Sequence, residues 1–216
     1  MSDCLNHKKI ILYGAGGHAA VVESALKKLN VEIVGVIDDY AKIETVLVEA
    51  KVIGKQQLLE NLYSDGFHNI HIAIGSNESR KILYNKLSSI GFSVKEIIHP
   101  TAIIEAGVSI DAGTFIAANS VICARVKIGK ACIINTSSSV DHDCKIDDFV
   151  HVCPGARLAG NVKIGEQTMI GTGAIVIPGI TIGKNCLIGA GAVIIRDVPD
   201  NSRVIGNPGR IVNKKF

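Results

Sequence analysis

The chain has 216 residues, of which 47% are hydrophobic but only 4% aromatic, with no tryptophan. Its formal net charge of +3 is too slight for a phosphate-tracking surface, and it carries no RNP-like or zinc-finger pattern, which excludes a nucleic-acid binder. No apolar run approaches about 18 residues and no signal peptide opens the chain, so a cytoplasmic protein of two compact units, without membrane insertion, is expected.

Residues 9–13 (KIILY) read as a buried strand, followed by the loop Gly14-Ala15-Gly16-Gly17-His18 and an amphipathic helix over 19–29. A second strand over 31–37 ends at Asp38-Asp39. Residues 56–62 read as helix, 70–74 as a third strand ending at Gly75-Ser76-Asn77, 78–90 as helix and 94–98 as strand. Alternating strand and helix signals predict a small, mostly parallel sheet covered by helices. G-x-G-x-x-A between a strand and a helix brings backbone N–H groups toward a phosphate. Asp38 stands where a ribose-binding acid is expected. Together with Asp39 and Gly75 it marks a ligand crevice at one sheet edge, and His18 beside the Gly-rich loop could bond a phosphate or sugar. The bland reading is a set of tight strand–helix turns.

The helix period ends at His99-Pro100, which sets the expected domains at 1–98 and 99–216. Sixteen aliphatic residues then follow at six-residue intervals, from Ile104 through Ile110, Ile116 and so on to Ile194. A period of six fits neither helix nor hairpin sheet and marks a hexapeptide β-solenoid. About fifteen hexads make about five turns if three hexads close one turn, with Gly and Asn bending the corners. The tail leaves the period at Pro199 and is expected to cap the last coil. None of the six cysteines forms C-x-x-C. Cys132, Cys144 and Cys186 stand two residues before a solenoid isoleucine and read as small buried hydrophobes.

Solenoid walls are regular, so the polar run Asn135-Thr136-Ser137-Ser138-Ser139-Val140-Asp141-His142-Asp143 is conspicuous. His142 sits between two carboxylates, and a carboxylate on one imidazole nitrogen strengthens the ring as a base. His151 follows nine residues on, about half a turn away, on another wall. A solvated corner histidine is the competing reading. A zinc site of the hexapeptide carbonic anhydrase type needs three histidines, two of them close together; the hexads offer only these two, so no metal is expected.

The marks YGAGGHA at 13–19, IDD at 37–39, IGSNESRK at 74–81, NTSSSVDHDC at 135–144, HVCPGARLAGNVKIG at 151–165 and GNPGR at 206–210 cover nearly the whole chain. In these the chain resembles the sialic acid O-acetyltransferase-like family of hexapeptide acyltransferases, and most closely its bacterial nucleotide-sugar N-acetyltransferases. The resemblance implies a left-handed parallel β-helix after a Rossmann-like domain, a homotrimer with sites between subunits, and acetyl-CoA as co-substrate. It implies acetylation of the 4-amino group of a nucleotide-linked 4-amino-4,6-dideoxy sugar, UDP-linked and of bacillosamine type. Carried over, His142 is the general base, Asp143 the acid that raises its basicity, and Asn135 a polar site residue. His151, Gly160, Thr172 and Ala190 match acetyl-CoA contacts. Gly16, Gly17, His18, Asp38, Asp39 and Gly75 match the nucleotide-sugar site. Sugar O-acetylation and a non-catalytic solenoid binding module are the alternatives.

Overall fold

The computed structural model describes residues 9–212, and the chain parts into two compact units between Pro100 and Thr101. The first holds strands β1 (Lys9–Tyr13), β2 (Glu32–Ile37), β3 (Val52–Gly54), β4 (Asn69–Ile72) and β5 (Ser93–Val94), with helices α1 (Gly17–Lys28), α2 (Leu59–Ser64) and α3 (Asn77–Ile90). The strands form one parallel sheet in the order β3-β2-β1-β4-β5. Sequence periodicity misses β3, because three residues are too few to show a period. The expected helix over 56–62 begins instead as a 3-10 turn, Gln56–Leu58, before α2. The strand expected over 94–98 is split into β5 and a separate pair, Ile97–Ile98.

Strand order reverses direction beside β1, whose neighbours are β2 and β4. The loops after these strands therefore part at the carboxyl edge and open a crevice there. Beneath it Ile11, Tyr13, Ile37, Leu59, Ile70, Ile72 and Leu87 pack as one apolar cluster. Ser76 caps α3 by accepting the Ser79 N–H, and Gly91 ends the helix with a left-handed φ of 111°.

The second unit is a left-handed parallel β-helix. Each coil is eighteen residues, as the pairing of Val121 with Ser139 and of Lys127 with Lys145 shows. Three walls of two-residue strands stack, and we name them by their middle members: β13 (Ser139–Val140), β14 (Lys145–Ile146) and β15 (His151–Val152). The inward aliphatics from Ile116 to Ile194 are buried. Ile104 and Ile110 are half-buried, since the first coil has a neighbour on one side only. After the last coil, Arg203–Ile205 pairs antiparallel with Arg210–Ile211. The remaining part of the expected cap, 213–216, lies outside the described residues.

Of the fifteen left-handed corner positions from Gly107 to Gly191, nine carry Gly or Asn as expected and six do not. A left-handed residue recurs every six positions, and the series includes Arg125, Ala131, Ser137, Asp143, Phe149 and Gln167. Such conformations are costly without glycine, and coil-to-coil hydrogen bonds offset that cost: Asp143 N–H donates to Ala124 O at 3.1 Å and Phe149 N–H to Lys130 O at 2.8 Å. Cys132, Cys144 and Cys186 are buried as expected, and Cys153 is buried too. Burial pushes the Cys144 thiol up to about 11, so it stays protonated. Cys4 lies outside the described residues.

Each buried Ile contributes about 1.5–3 kcal/mol, shared between neighbouring coils. Ile146 sits in the middle of its wall, paired to Ile128 and Ile164. Ile146→Asp puts an unpaired carboxylate there, at a cost above about 3 kcal/mol. The expected result is a fall in melting temperature of about 10 °C, read by circular dichroism; an unchanged melting curve would contradict the packing.

Candidate active site

The crevice of the first unit is a cavity of about 530 Å³ lined by the Gly14–His18 loop, Asp38, Asp39, Tyr40, Gln56, Gly75, Ser79 and Ile82. Gly14 is required: its φ is +115° and an added Cβ would stand 2.8 Å from Ala73 O. At Gly16, Gly17 and Gly75 an added Cβ would meet nothing within 4 Å. These three glycines therefore leave open space on the cavity side, as close approach of a ligand to the backbone requires.

Both aspartates already hold the crevice in shape. Asp38 Oδ2 accepts the Ala15 N–H at 2.8 Å, and its Oδ1 accepts those of Tyr40 and Ala41, each at 2.8 Å. Burial tends to raise the Asp38 carboxyl, but these main-chain donors outweigh it and hold it below its ordinary value. Asp39 accepts the Tyr13 hydroxyl at 2.6 Å and the Gln56 N–H at 3.1 Å. Tyr13 is pushed well above the usual phenol range by burial and then by Asp39. Arg80 is buried and donates to Ile74 O, Gly75 O and Asn77 Oδ1, tying down the loop that carries Gly75. Sequence reading left Arg80 aside; its only signal was its place inside IGSNESRK.

On the β-helix, His142 lies in the corner between the β13 and β14 walls. Its main-chain N–H donates to Asp141 Oδ1 at 2.8 Å, and its Nδ1 is 2.8 Å from Asp143 Oδ2. Arg125 and then His142, both bonded to Asp143, hold that carboxyl well below the usual range. An ionised carboxylate only accepts, so the neutral form of the ring carries its proton on Nδ1 and presents the Nε2 lone pair. The imidazole is 56% exposed and open to reactants. Gly160 lies on the next coil against the ring; a Cβ there would stand 2.6 Å from both Cε1 and Nε2.

A second polar group occupies the corner after the β15 wall. Asn135 Nδ2 lies 3.1 Å from Nε2 of His151, which is largely buried. Thr172 and Ala190 are exposed at successive coils of this same corner, since Gly191 N–H donates to Thr172 O. The structure thus separates the expected acetyl-CoA residues. His151, Thr172 and Ala190 share one corner with Asn135, whereas Gly160 stands at the other with His142 and Asp143. Among the described residues no cluster of three His, Cys, Asp or Glu could hold a metal ion.

Comparison with known proteins agrees with both units. Residues 9–87 match the PglD N-terminal domain, and residues 161–196 match the bacterial transferase hexapeptide repeats. PerB from Caulobacter crescentus, solved with CoA and GDP-perosamine, is 36% identical, with a TM-score of 0.91 over 95% of this chain and 97% of its own. The acetyltransferase domain of PglB from Neisseria gonorrhoeae, solved with acetyl coenzyme A, is 36% identical, with a TM-score of 0.88 over 95% and 99%. The GDP-perosamine N-acetyltransferase of Escherichia coli O157:H7 is 30% identical over 74% of this chain and 76% of its own length. The chain belongs to the nucleotide-sugar N-acetyltransferases. Acetyl-CoA is the co-substrate of this family of acyltransferases.

An N-acetyltransferase of this build needs a base, an acyl-donor groove and an acceptor pocket. The β-helix offers the His142 corner and the Asn135–His151 corner, and the first unit offers its glycine-lined crevice. No helix among the described residues is long and apolar enough to cross a membrane.

Proposed function

We propose that this N-acetyltransferase acetylates the amino group of a nucleotide-linked 4-amino-4,6-dideoxy sugar, with His142 as general base and the glycine-lined crevice as the nucleotide site. The observation that carries the reading is the ring geometry at His142: Nδ1 lies against the ionised Asp143, the arrangement in which the neutral ring presents its Nε2 lone pair. A neutral sugar amine attacks the acetyl thioester carbon. Nε2 takes one amine proton as the C–N bond forms, and the tetrahedral oxyanion collapses with cleavage of the C–S bond. The coenzyme A thiolate leaves and is then protonated. Main-chain N–H groups or His151 supply hydrogen bonds to the oxyanion. The same base could serve a sugar hydroxyl, which keeps sialic-acid-type O-acetylation as the rival reaction.

The reading implies a homotrimer. The β13 wall separates the His142 corner from the Asn135–His151 corner within one chain, so a neighbouring copy is needed to bring the two together. Ile103 and Ile175 on that wall are 53% and 44% exposed, an apolar face for such a neighbour. We place the enzyme in the cytoplasm, where acetyl-CoA is made.

Two lining residues of the crevice are exposed: Tyr40 at 97% and Ile82 at 61%. They suit the two faces of a nucleobase, with Asp39 and Gln56 at its edge. The UDP-linked sugar follows from the sequence resemblance, whereas GDP-perosamine is the ligand of PerB. Turnover of UDP-, dTDP- and GDP-linked 4-amino sugars and of free sialic acid therefore tests the reading. The expected result is turnover of a nucleotide-linked amine, with UDP and GDP competing for the crevice. Tyr40→Ala should weaken that nucleotide by about 5–100-fold, the worth of one stacked base, while KM for acetyl-CoA holds. Acetylation of free sugars alone would overturn the assignment.

A further inference from the structure

Arg125 stands one coil from Asp143, eighteen residues away in the same corner column. Both are left-handed, with φ of 63° and 61°. Elsewhere in this column the left-handed place is taken by Gly107, Asn161 and Gly179, residues that accept it at little cost. Arg125 bears the strain, Asp143 tolerates the conformation much as Asn does, and their side chains meet. Arg125 Nε donates to Asp143 Oδ1 at 2.7 Å, and its Nη2 donates to Oδ2 at 2.8 Å. Oδ2 is also the oxygen that holds His142 Nδ1, at 2.8 Å. One carboxylate oxygen therefore serves both the guanidinium and the imidazole.

We propose that Arg125 is a positioning residue for the acetyl transfer: its two-pronged grip fixes the Asp143 carboxylate so that Oδ2 stays aimed at His142 Nδ1 and Nε2 stays turned toward the reactants. The catalytic meaning rests on the function proposed above; the geometric meaning does not. An isolated ion pair on an exposed surface does little, but a planar fork on both oxygens sets direction as well as charge. Without it, Asp143, itself 40% exposed, is free to turn to water. Asp141 is engaged elsewhere: it accepts the main-chain N–H of His142 on Oδ1 and bonds the Cys123 side chain.

The test is a double-mutant cycle on the full-length protein. Arg125→Gln should lower kcat by about threefold to fivefold, the upper part of the range for an exposed pair, with both KM values within about twofold and the melting temperature unchanged. Arg125→Lys keeps the charge without the fork and should recover part of the loss. In an Asp143→Asn background, Arg125→Gln should cost nothing more, because its effect passes through the carboxylate. Losses that add across the two sites, or a loss expressed in KM, would overturn the proposal. A second readout needs no turnover. The 15N shifts of the His142 ring should report one tautomer, protonated at Nδ1, in the wild type and a mixture in Arg125→Gln. An unmixed tautomer in the variant would refute the positioning role. Activity surviving in His142→Ala would instead refute the function proposed above and leave the tautomer result to stand or fall alone.

Discussion

His142→Ala is expected to lower kcat by about 10²–10⁴-fold, the usual worth of a positioned general base. It should leave KM for acetyl-CoA and the melting temperature close to wild type. The ring is 56% exposed and contributes nothing to the inward aliphatic stack, so its removal opens no cavity. Its main-chain bonds, the N–H to Asp141 and the carbonyl accepting Asn161 N–H, do not depend on the imidazole. Single-turnover measurement of acetyl transfer isolates the step. A variant within about tenfold of wild type, below the usual contribution of such a base, would show that another group takes the proton. His151→Ala would then be the next variant to assay, because His151 is the other histidine of the β-helix and bonds Asn135 at the opposite corner.

The architecture was legible because side-chain chemistry repeats with it. One aliphatic per six residues marks the solenoid and its strand spacing, while the three walls and the eighteen-residue coil come from the pairing of Val121 with Ser139, and YGAGGHA after a buried strand marks the turn beneath the crevice. The corners were less legible. Arg125, Asp143 and Phe149 adopt a backbone that propensity assigns to Gly and Asn, and only coil-to-coil hydrogen bonds, invisible in one dimension, keep them there. The site divided in the same way. His142 and Asp143 are adjacent in sequence, so their contact could be read directly. Asn135 and His151 are sixteen apart, a spacing without meaning until the eighteen-residue coil sets them side by side. Asp38 and Asp39 were expected at the nucleotide-sugar site, and the structure first gives them internal donors to hold, up to 23 and 26 residues distant.

Gly160 separates two roles that sequence could not. Matched only by motif, it is an acetyl-CoA contact through its backbone; placed in the coil, it is the surface against which the His142 ring lies. Gly160→Ala decides between them. The new Cβ would lie 2.6 Å from Cε1 and Nε2, well inside van der Waals contact, so something must move. The backbone of the coil is held by hydrogen bonds on both sides, with Asn161 N–H on His142 O and Gly179 N–H on Gly160 O. The ring is the softer partner, and it swings away at little cost to stability. Its Nδ1 then leaves Asp143 and its Nε2 leaves the reacting amine. A displacement of about 1 Å at a catalytic group costs on the order of 10²-fold, so kcat should fall by about that factor with the melting temperature preserved. A backbone contact to acetyl-CoA alone would instead show as a raised KM for that substrate with kcat maintained. Gly14→Ala gives the contrast. Its left-handed φ of +115° and its 2.8 Å approach to Ala73 O leave only main chain to yield, so the same added methyl group should there lower the melting temperature. Two alanines, one reading as lost rate and the other as lost stability, follow from what each Cβ would strike: a mobile imidazole in one case, a fixed carbonyl in the other.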